Sequence, residues 1–221
     1  MTLVLSLAAC GSSAGQGSAN SDPAPDTDTS AAAAPETPPE NQPEEVAPQE
    51  DEAPTETGDS GNKILIAYFS ATNNTENIAN HLNEILDADL YEIVPETPYT
   101  SDDLNYNDSS SRSSQEMNDP DARPAISGGV DNIEQYDVIF LGYPIWWGEA
   151  PRIINTFLES YDFSGKAIAP FCTSASSPLG SSAAMLQDLT TNATWLGGQR
   201  FSGGDAASDV QEWVDSLNLN D

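Results

Sequence analysis

Three short segments, each following an apolar run, hold side chains able to do chemistry. The first is Ser70-Ala71-Thr72-Asn73-Asn74-Thr75, a run of hydroxyls and amides. Where such a run leads into a helix, its free backbone N–H groups and the helix dipole form a site for an anion. It holds no Lys or Arg, so it lacks the G-x-x-x-x-G-K pattern of an ATP or GTP loop, and no G-x-G-x-x-G dinucleotide fingerprint occurs there. The same hydroxyls could equally serve as a plain helix cap with no anion. The second segment is Tyr143-Pro144-Ile145-Trp146-Trp147-Gly148-Glu149-Ala150-Pro151. Its two adjacent Trp present wide π faces suited to a flat heterocycle; core packing is the alternative, but neighbours in a loop seldom both point inward. The third, Thr173-Ser174-Ala175-Ser176-Ser177, is small and polar, which lets backbone and hydroxyls approach the polar edge of a ring.

Other chemistry-bearing residues read as structural. Cys10 and Cys172 lie far apart, which disfavours a disulfide. Cys172 follows the apolar run Ala167 to Phe171 and reads as a small buried hydrophobe. His81 is the one histidine, and with no second His and no Cys cluster a metal site is disfavoured. Gly11-Ser12-Ser13-Ala14-Gly15 fits G-x-S-x-G but lacks the strand and helix that a nucleophile elbow requires. The formal net charge is -30. Six basic residues without a run or stripe exclude nucleic acid as a partner and leave basic proteins or neutral small molecules.

The elements that must position the three segments alternate strand and helix. Lys63 to Phe69 is a continuous apolar run, the pattern of a parallel strand covered on both faces. From Thr75 the residues Ile78, Ala79, Leu82, Ile85 and Leu86 recur at helical spacing. Leu90 to Val94 predicts a second strand and Tyr136 to Gly142 a third; Pro151 then opens a helix carrying Ile153, Ile154, Phe157 and Leu158. Ala167 to Phe171 is a fourth strand in which Pro170 marks a bulge or an end. Ser181 to Leu189 predicts a helix, Gly198 to Phe201 a short fifth strand, and Ser208 to Leu217 a last helix with Val210, Trp213, Val214 and Leu217 on one stripe. This is an α/β doubly wound, five-stranded parallel sheet with helices on both faces, whose ligands bind at the carboxyl ends of the strands.

Residues 63–221 are one domain, of a size that buries a proper core. Residues 11–62 contain Pro, Ala, Ser, Thr, Asp and Glu but no Lys or Arg, and read as a disordered acidic linker. As a flexible coil it would reach about 40 Å, lengthened by Pro and self-repulsion. Residues 1–10 end in Leu7-Ala8-Ala9-Cys10, which resembles the lipobox at which bacterial lipoprotein precursors are cleaved, though no basic residue precedes the apolar run and the signal reads as truncated or short. On that resemblance Cys10 carries lipid, and the domain stands outside the cytoplasm, anchored to the bacterial cell membrane.

Taken together, the three loops resemble those of the flavodoxin family, over nearly all of Lys63 to Leu217. Phe69 to Thr75 is similar to the family's phosphate loop, Pro144-Ile145-Trp146-Trp147-Gly148 to the loop beside the isoalloxazine, and Cys172-Thr173-Ser174-Ala175 to the third flavin loop. Pro98-Tyr99-Thr100, Asn105-Tyr106-Asn107-Asp108, Ser111-Arg112-Ser113 and Glu116 to Pro120 resemble a long insertion found in one group of bacterial members. The resemblance implies strand order 2-1-3-4-5 and a non-covalently bound flavin mononucleotide (FMN). It assigns cofactor contacts to Ser70, Ala71, Thr72, Asn73, Asn74 and Thr75, to Pro144, Ile145, Trp146, Trp147 and Gly148, and to Thr173 and Ser174. Asn73 stands where many members have Gly, and Asn tolerates positive φ. Ala175 also stands where Gly is common; if that position needs positive φ, the third loop must shift. The implied function is electron transfer to a redox partner protein or small acceptor, with an acidic, aromatic surround that lowers the flavin's reduction potential. Two alternatives stay open: an FMN-dependent NAD(P)H oxidoreductase acting on quinones or other small acceptors, with Arg112 and Arg123 building the nicotinamide site, and a flavin-free binding module.

Overall fold

The computed structural model describes residues 62–219. The lipobox-like segment at Cys10 and the linker up to residue 61 lie outside the described residues.

In chain order the elements are β1 (Ile64–Tyr68), α1 (Asn74–Leu86), β2 (Asp89–Glu92), β3 (Val94–Pro95), α2 (Arg112–Asn118), β4 (Ile126–Ser127), β5 (Val138–Pro144), α3 (Arg152–Glu159), β6 (Ala167–Thr173), α4 (Ser182–Gln187), β7 (Thr194–Trp195), β8 (Gln199–Phe201) and α5 (Ala207–Ser216). A parallel sheet runs β2-β1-β5-β6-β7, with β8 also paired to β6. This is the expected order 2-1-3-4-5, with the fifth strand in two pieces. β7 pairs Ala167 and Ile168, β8 pairs Phe171 to Thr173, and Pro170 stands opposite the gap. The irregularity expected at Pro170 therefore falls on its neighbour: β6 runs straight through, and the partner that would need the missing N–H is interrupted.

Side-chain alternation divides the core between the two faces. Leu65 and Ala67 of β1 join Ile139, Leu141 and Ile168 under α3. Ile66 and Tyr68 join Phe140, Ala169 and Phe171 under α1 and α5. Each helix supplies the stripe its spacing predicts: Ile78, Ala79 and Leu82 from α1, Ile153, Ile154, Phe157 and Leu158 from α3, and Val210, Trp213 and Val214 from α5. Covering both faces is what a parallel sheet requires.

The predicted second strand is split. Asp89 to Glu92 pairs with β1, whereas Val94 and Pro95 leave the sheet and pair antiparallel with β4, closing the base of the insertion. Within that insertion lies α2, too short for its periodicity to be read from sequence. Its N-terminus is capped by the Ser111 side chain, which accepts from the Ser114 N–H.

Gly142 of β5 faces Phe171 of β6 so closely that a Cβ there would overlap the ring. Gly142→Ala should therefore destabilise the fold by about 1–3 kcal/mol through overpacking. Urea titration of the purified protein measures it, and an unchanged midpoint would mean that the Phe171 ring can move aside at no cost.

Candidate functional site

The three segments meet at the carboxyl edge of the sheet because the registers of β1, β5 and β6 align their ends: Tyr68 stands beside Gly142, and Gly142 beside Phe171. Cross-links then fix the loops to one another. The Ile145 N–H donates to the Thr173 carbonyl at 2.9 Å, tying the second loop to the third. The buried hydroxyls of Thr75 and Thr173 are 2.8 Å apart and tie the first loop to the third. These two side chains brace one another.

The first loop has the features of an anion site. Asn73 takes φ 62°, the left-handed conformation its side chain tolerates, and its side chain caps nothing. The plain-cap reading is thus not realised, and the first N–H groups of α1 are left without a side-chain acceptor. The Thr72 hydroxyl accepts from the Asn74 amide at 2.9 Å and keeps its own proton to donate. Ser70 Oγ is buried and finds no hydrogen-bond partner among the described residues. A buried hydroxyl without a partner costs about 1–3 kcal/mol, and an oxyanion would recover it.

The second loop is a tight hairpin. Trp146 and Glu149 exchange both backbone hydrogen bonds, at 3.0 and 2.9 Å. The two central residues, Trp147 at φ 50° and Gly148 at φ 85°, both have the positive φ of a type I′ turn. Gly suits such a position; a Trp there is strained. The neighbouring tryptophans differ as adjacent residues should. Trp146 packs edge-on against Phe69 at 5.7 Å and Tyr99 at 5.4 Å, whereas Trp147 remains 52% exposed. The turn thus combines backbone strain with a half-exposed indole at its tip.

Trp146, Trp147, Pro144 and Ile145 line a cleft of about 350 Å³ together with Ala71 and Thr72 of the anion loop. Leu104, Tyr106 and Ser113 of the insertion complete its lining. Tyr106 is 74% exposed and is an aromatic face that loop reasoning missed, although the insertion itself was recognisable. None of these lining residues carries a carboxylate or a cation. Gly148 at the hairpin tip is outside the lining, as are Ser70 and Asn73 to Thr75 of the first loop and Thr173 and Ser174 of the third.

The third loop is held from behind by Arg200, whose Nη2 donates to the carbonyls of Ser174 and, at 2.8 Å, Ala175. Ala175 does not take positive φ, so the absence of Gly there costs the loop nothing. Cys172 is fully buried, and burial pushes its thiol up to about 12, against a smaller opposing pull from Arg200. At neutral pH a buried thiol so raised stays protonated, which makes it a poor nucleophile. Among the described residues, no group of His, Cys, Asp or Glu is arranged to hold a metal ion.

Comparison with known proteins gives three results. The family model described as Flavodoxin matches residues 63–217. A candidate flavoprotein from Bacteroides eggerthii is 46% identical, with 71% of this chain and 98% of that one covered and a TM-score of 0.67; one from Bacteroides uniformis is 43% identical, with coverage of 70% and 99% and a TM-score of 0.67. A flavoprotein from Lactobacillus acidophilus, solved in complex with FMN, is 25% identical, with coverage of 70% and 99% and a TM-score of 0.54. No curated protein matches.

The strained turn has a measurable signature. Trp147→Ala and Trp147→Asn remove the same ring, but Asn accepts the left-handed conformation and Ala does not. The Asn variant should be more stable than the Ala variant by about 1 kcal/mol in urea unfolding. Equal stabilities would show that residue 147 does not hold this conformation in solution.

Proposed function

The chain belongs to the flavodoxin family, and from that premise we propose that it binds FMN in the cleft between the anion loop and the tryptophan hairpin and serves as an electron carrier. One observation carries this reading: Ala71 and Thr72, next to the uncapped start of α1, line the same cleft as Trp146 and Trp147. A single ligand with a phosphate at one end and a flat ring at the other spans such a site. The residues fit the group. The partnerless Ser70 hydroxyl, the Thr72 hydroxyl and the free N–H groups of Asn74 and Thr75 would hold the phosphate, with Asn73 supplying the turn. Trp147, with Trp146 and Tyr106 beside it in the lining, would hold the ring by aromatic contact, and backbone from Ile145 to Gly148 and from Thr173 and Ser174 would supply hydrogen bonds to its polar edge.

When bound, FMN supplies the one- and two-electron chemistry. The protein's part is electrostatic and steric. The lining carries no cation, and the chain around it is strongly acidic. A low-dielectric wall inside a negative field disfavours added negative charge on whatever it encloses, which lowers its reduction potential. The carrier reading is favoured over the reductase by the state of the insertion's cations. Arg112 is closed by Glu116 at 2.6 Å and lies over the Tyr99 ring at 4.0 Å. Arg123 holds both oxygens of Glu159 at 2.7 Å. Neither guanidinium is left to receive the phosphates of a nicotinamide dinucleotide.

We further propose that Cys10 is lipidated and that the acidic linker holds the domain off an extracytoplasmic membrane surface. The lipobox-like Leu7-Ala8-Ala9-Cys10 and the polar, small-residue stretch after it support this.

FMN should bind to the full chain far more tightly than riboflavin in titration calorimetry; equal affinities would remove the phosphate from the site. Trp147→Ala should weaken both ligands by about 2- to 10-fold, the loss of a ring stack of about 0.5–1.5 kcal/mol, and raise the reduction potential because water then reaches the ring. If neither Trp147→Ala nor Trp146→Ala changes affinity, the ring does not lie on this hairpin.

Membrane fractionation of the native host should recover the protein with the membrane, and Cys10→Ser should leave it without lipid. Finding an unmodified peptide from Met1 to Cys10 on cytosolic protein would refute the anchor.

A further inference from the structure

Arg152 opens α3 and is only 8% exposed, yet it touches none of the cleft. Its guanidinium spans two segments far apart in sequence. Nη1 pairs with Glu149 at 2.8 Å. Nε donates to the Asp119 carbonyl at 3.2 Å and Nη2 to the Met117 carbonyl at 3.1 Å. Glu149 is the closing residue of the Trp147-Gly148 turn, and the two carbonyls lie at the end of α2, where the helix dipole is negative.

The start of α2 is joined to the same hairpin by a separate route. Arg112 lies over the Tyr99 ring, Glu116 accepts from the Tyr99 hydroxyl at 2.5 Å, and Tyr99 packs edge-on against Trp146. The contacts therefore form a closed circuit: hairpin, Tyr99, α2, Arg152, and back to the hairpin at Glu149. This circuit joins the two segments that supply most of the cleft's lining, since the insertion contributes Ser113 from α2, with Leu104 and Tyr106 before it, and the hairpin contributes both tryptophans.

We propose that Arg152 is a positioning residue that latches the insertion to the tryptophan hairpin and so sets the width of the ring-binding half of the cleft, leaving the phosphate end untouched. The inference rests on the cleft being the flavin site. Only a planar, forked cation reaches one carboxylate and two carbonyls at once; a lysine keeps the charge and loses the span.

The test is Arg152→Lys in the full chain, with Glu149→Gln as the second variant should the first fail to fold. In the flavin-free protein, hydrogen exchange followed by mass spectrometry should show faster exchange in residues 97–119 and 145–149 and unchanged exchange in β1, β5 and β6. With ligand, FMN and riboflavin affinities should both fall by about tenfold while their ratio is kept, because the loss is in the ring site they share. Glu149→Gln should loosen the hairpin segment more than α2, whose carbonyls keep their donors. Unchanged exchange in both segments of a folded variant would overturn the latch. A changed ratio of FMN to riboflavin affinity would overturn its restriction to the ring half. Should the unmodified protein take up no flavin at all, the cofactor reading falls, while the exchange data still decide whether Arg152 joins the two segments.

Discussion

The parallel registry of β1, β5 and β6 carries everything at the site. Ile66 stands beside Phe140, and Phe140 beside Ala169, and each of the three strands alternates between two cores that differ in every member. A slip of one residue would exchange the faces of a whole strand, moving side chains packed under α3 to the side covered by α1 and α5. The register is therefore held by apolar burial along the whole strand, and the loops inherit it. Their cross-links, Thr75 to Thr173 and Ile145 to Thr173, are possible only because the strand ends are level. A hairpin with Trp in a left-handed position stays in place because both its ends are fixed by this frame.

How much of this is legible in sequence depends on how local the cause is. The continuous apolar run from Ile64 to Tyr68 and the helical stripe of α1 are statements about neighbours along the chain, and both are read within a residue or two. The tolerance of Asn73 for positive φ is likewise a property of the residue, and its φ of 62° agrees. Long-range causes are not legible. Nothing near Thr194 announces that the fifth strand divides around Pro170, because the reason lies on another strand. The roles of Tyr106 and Arg152 depend on where the insertion returns to the hairpin. The difference between Trp146 and Trp147 depends on Tyr99 and Phe69 packing against only one of them.

The use of cations follows a single logic. All six Lys and Arg of the chain lie among the described residues, and each is bound into the fold. Lys63 bonds Gln135 and lies over Tyr136, and Lys166 is buried on the Glu134 and Tyr136 carbonyls. Arg112, Arg123 and Arg152 hold carboxylates, and Arg200 holds the third loop. In a chain so acidic, positive charge is scarce, and it stands where a segment of irregular backbone must be fastened to the sheet or its helices. Arg predominates at these points because several acceptors must be met by one planar group.

The break opposite Pro170 has a consequence beyond the strand it interrupts. A parallel sheet of this kind has two open edges, each a row of unpaired backbone groups on which a strand of another molecule could assemble. On the far side the rim consists of a two-residue and a three-residue piece with Leu196, Gly197 and Gly198 between them, too short for an incoming strand to zip along. The near side, β2, carries Asp89 and Glu92, whose charges repel an identical edge. The accommodation of one proline and the acidity of one strand together protect the sheet from joining edge to edge into a larger aggregate.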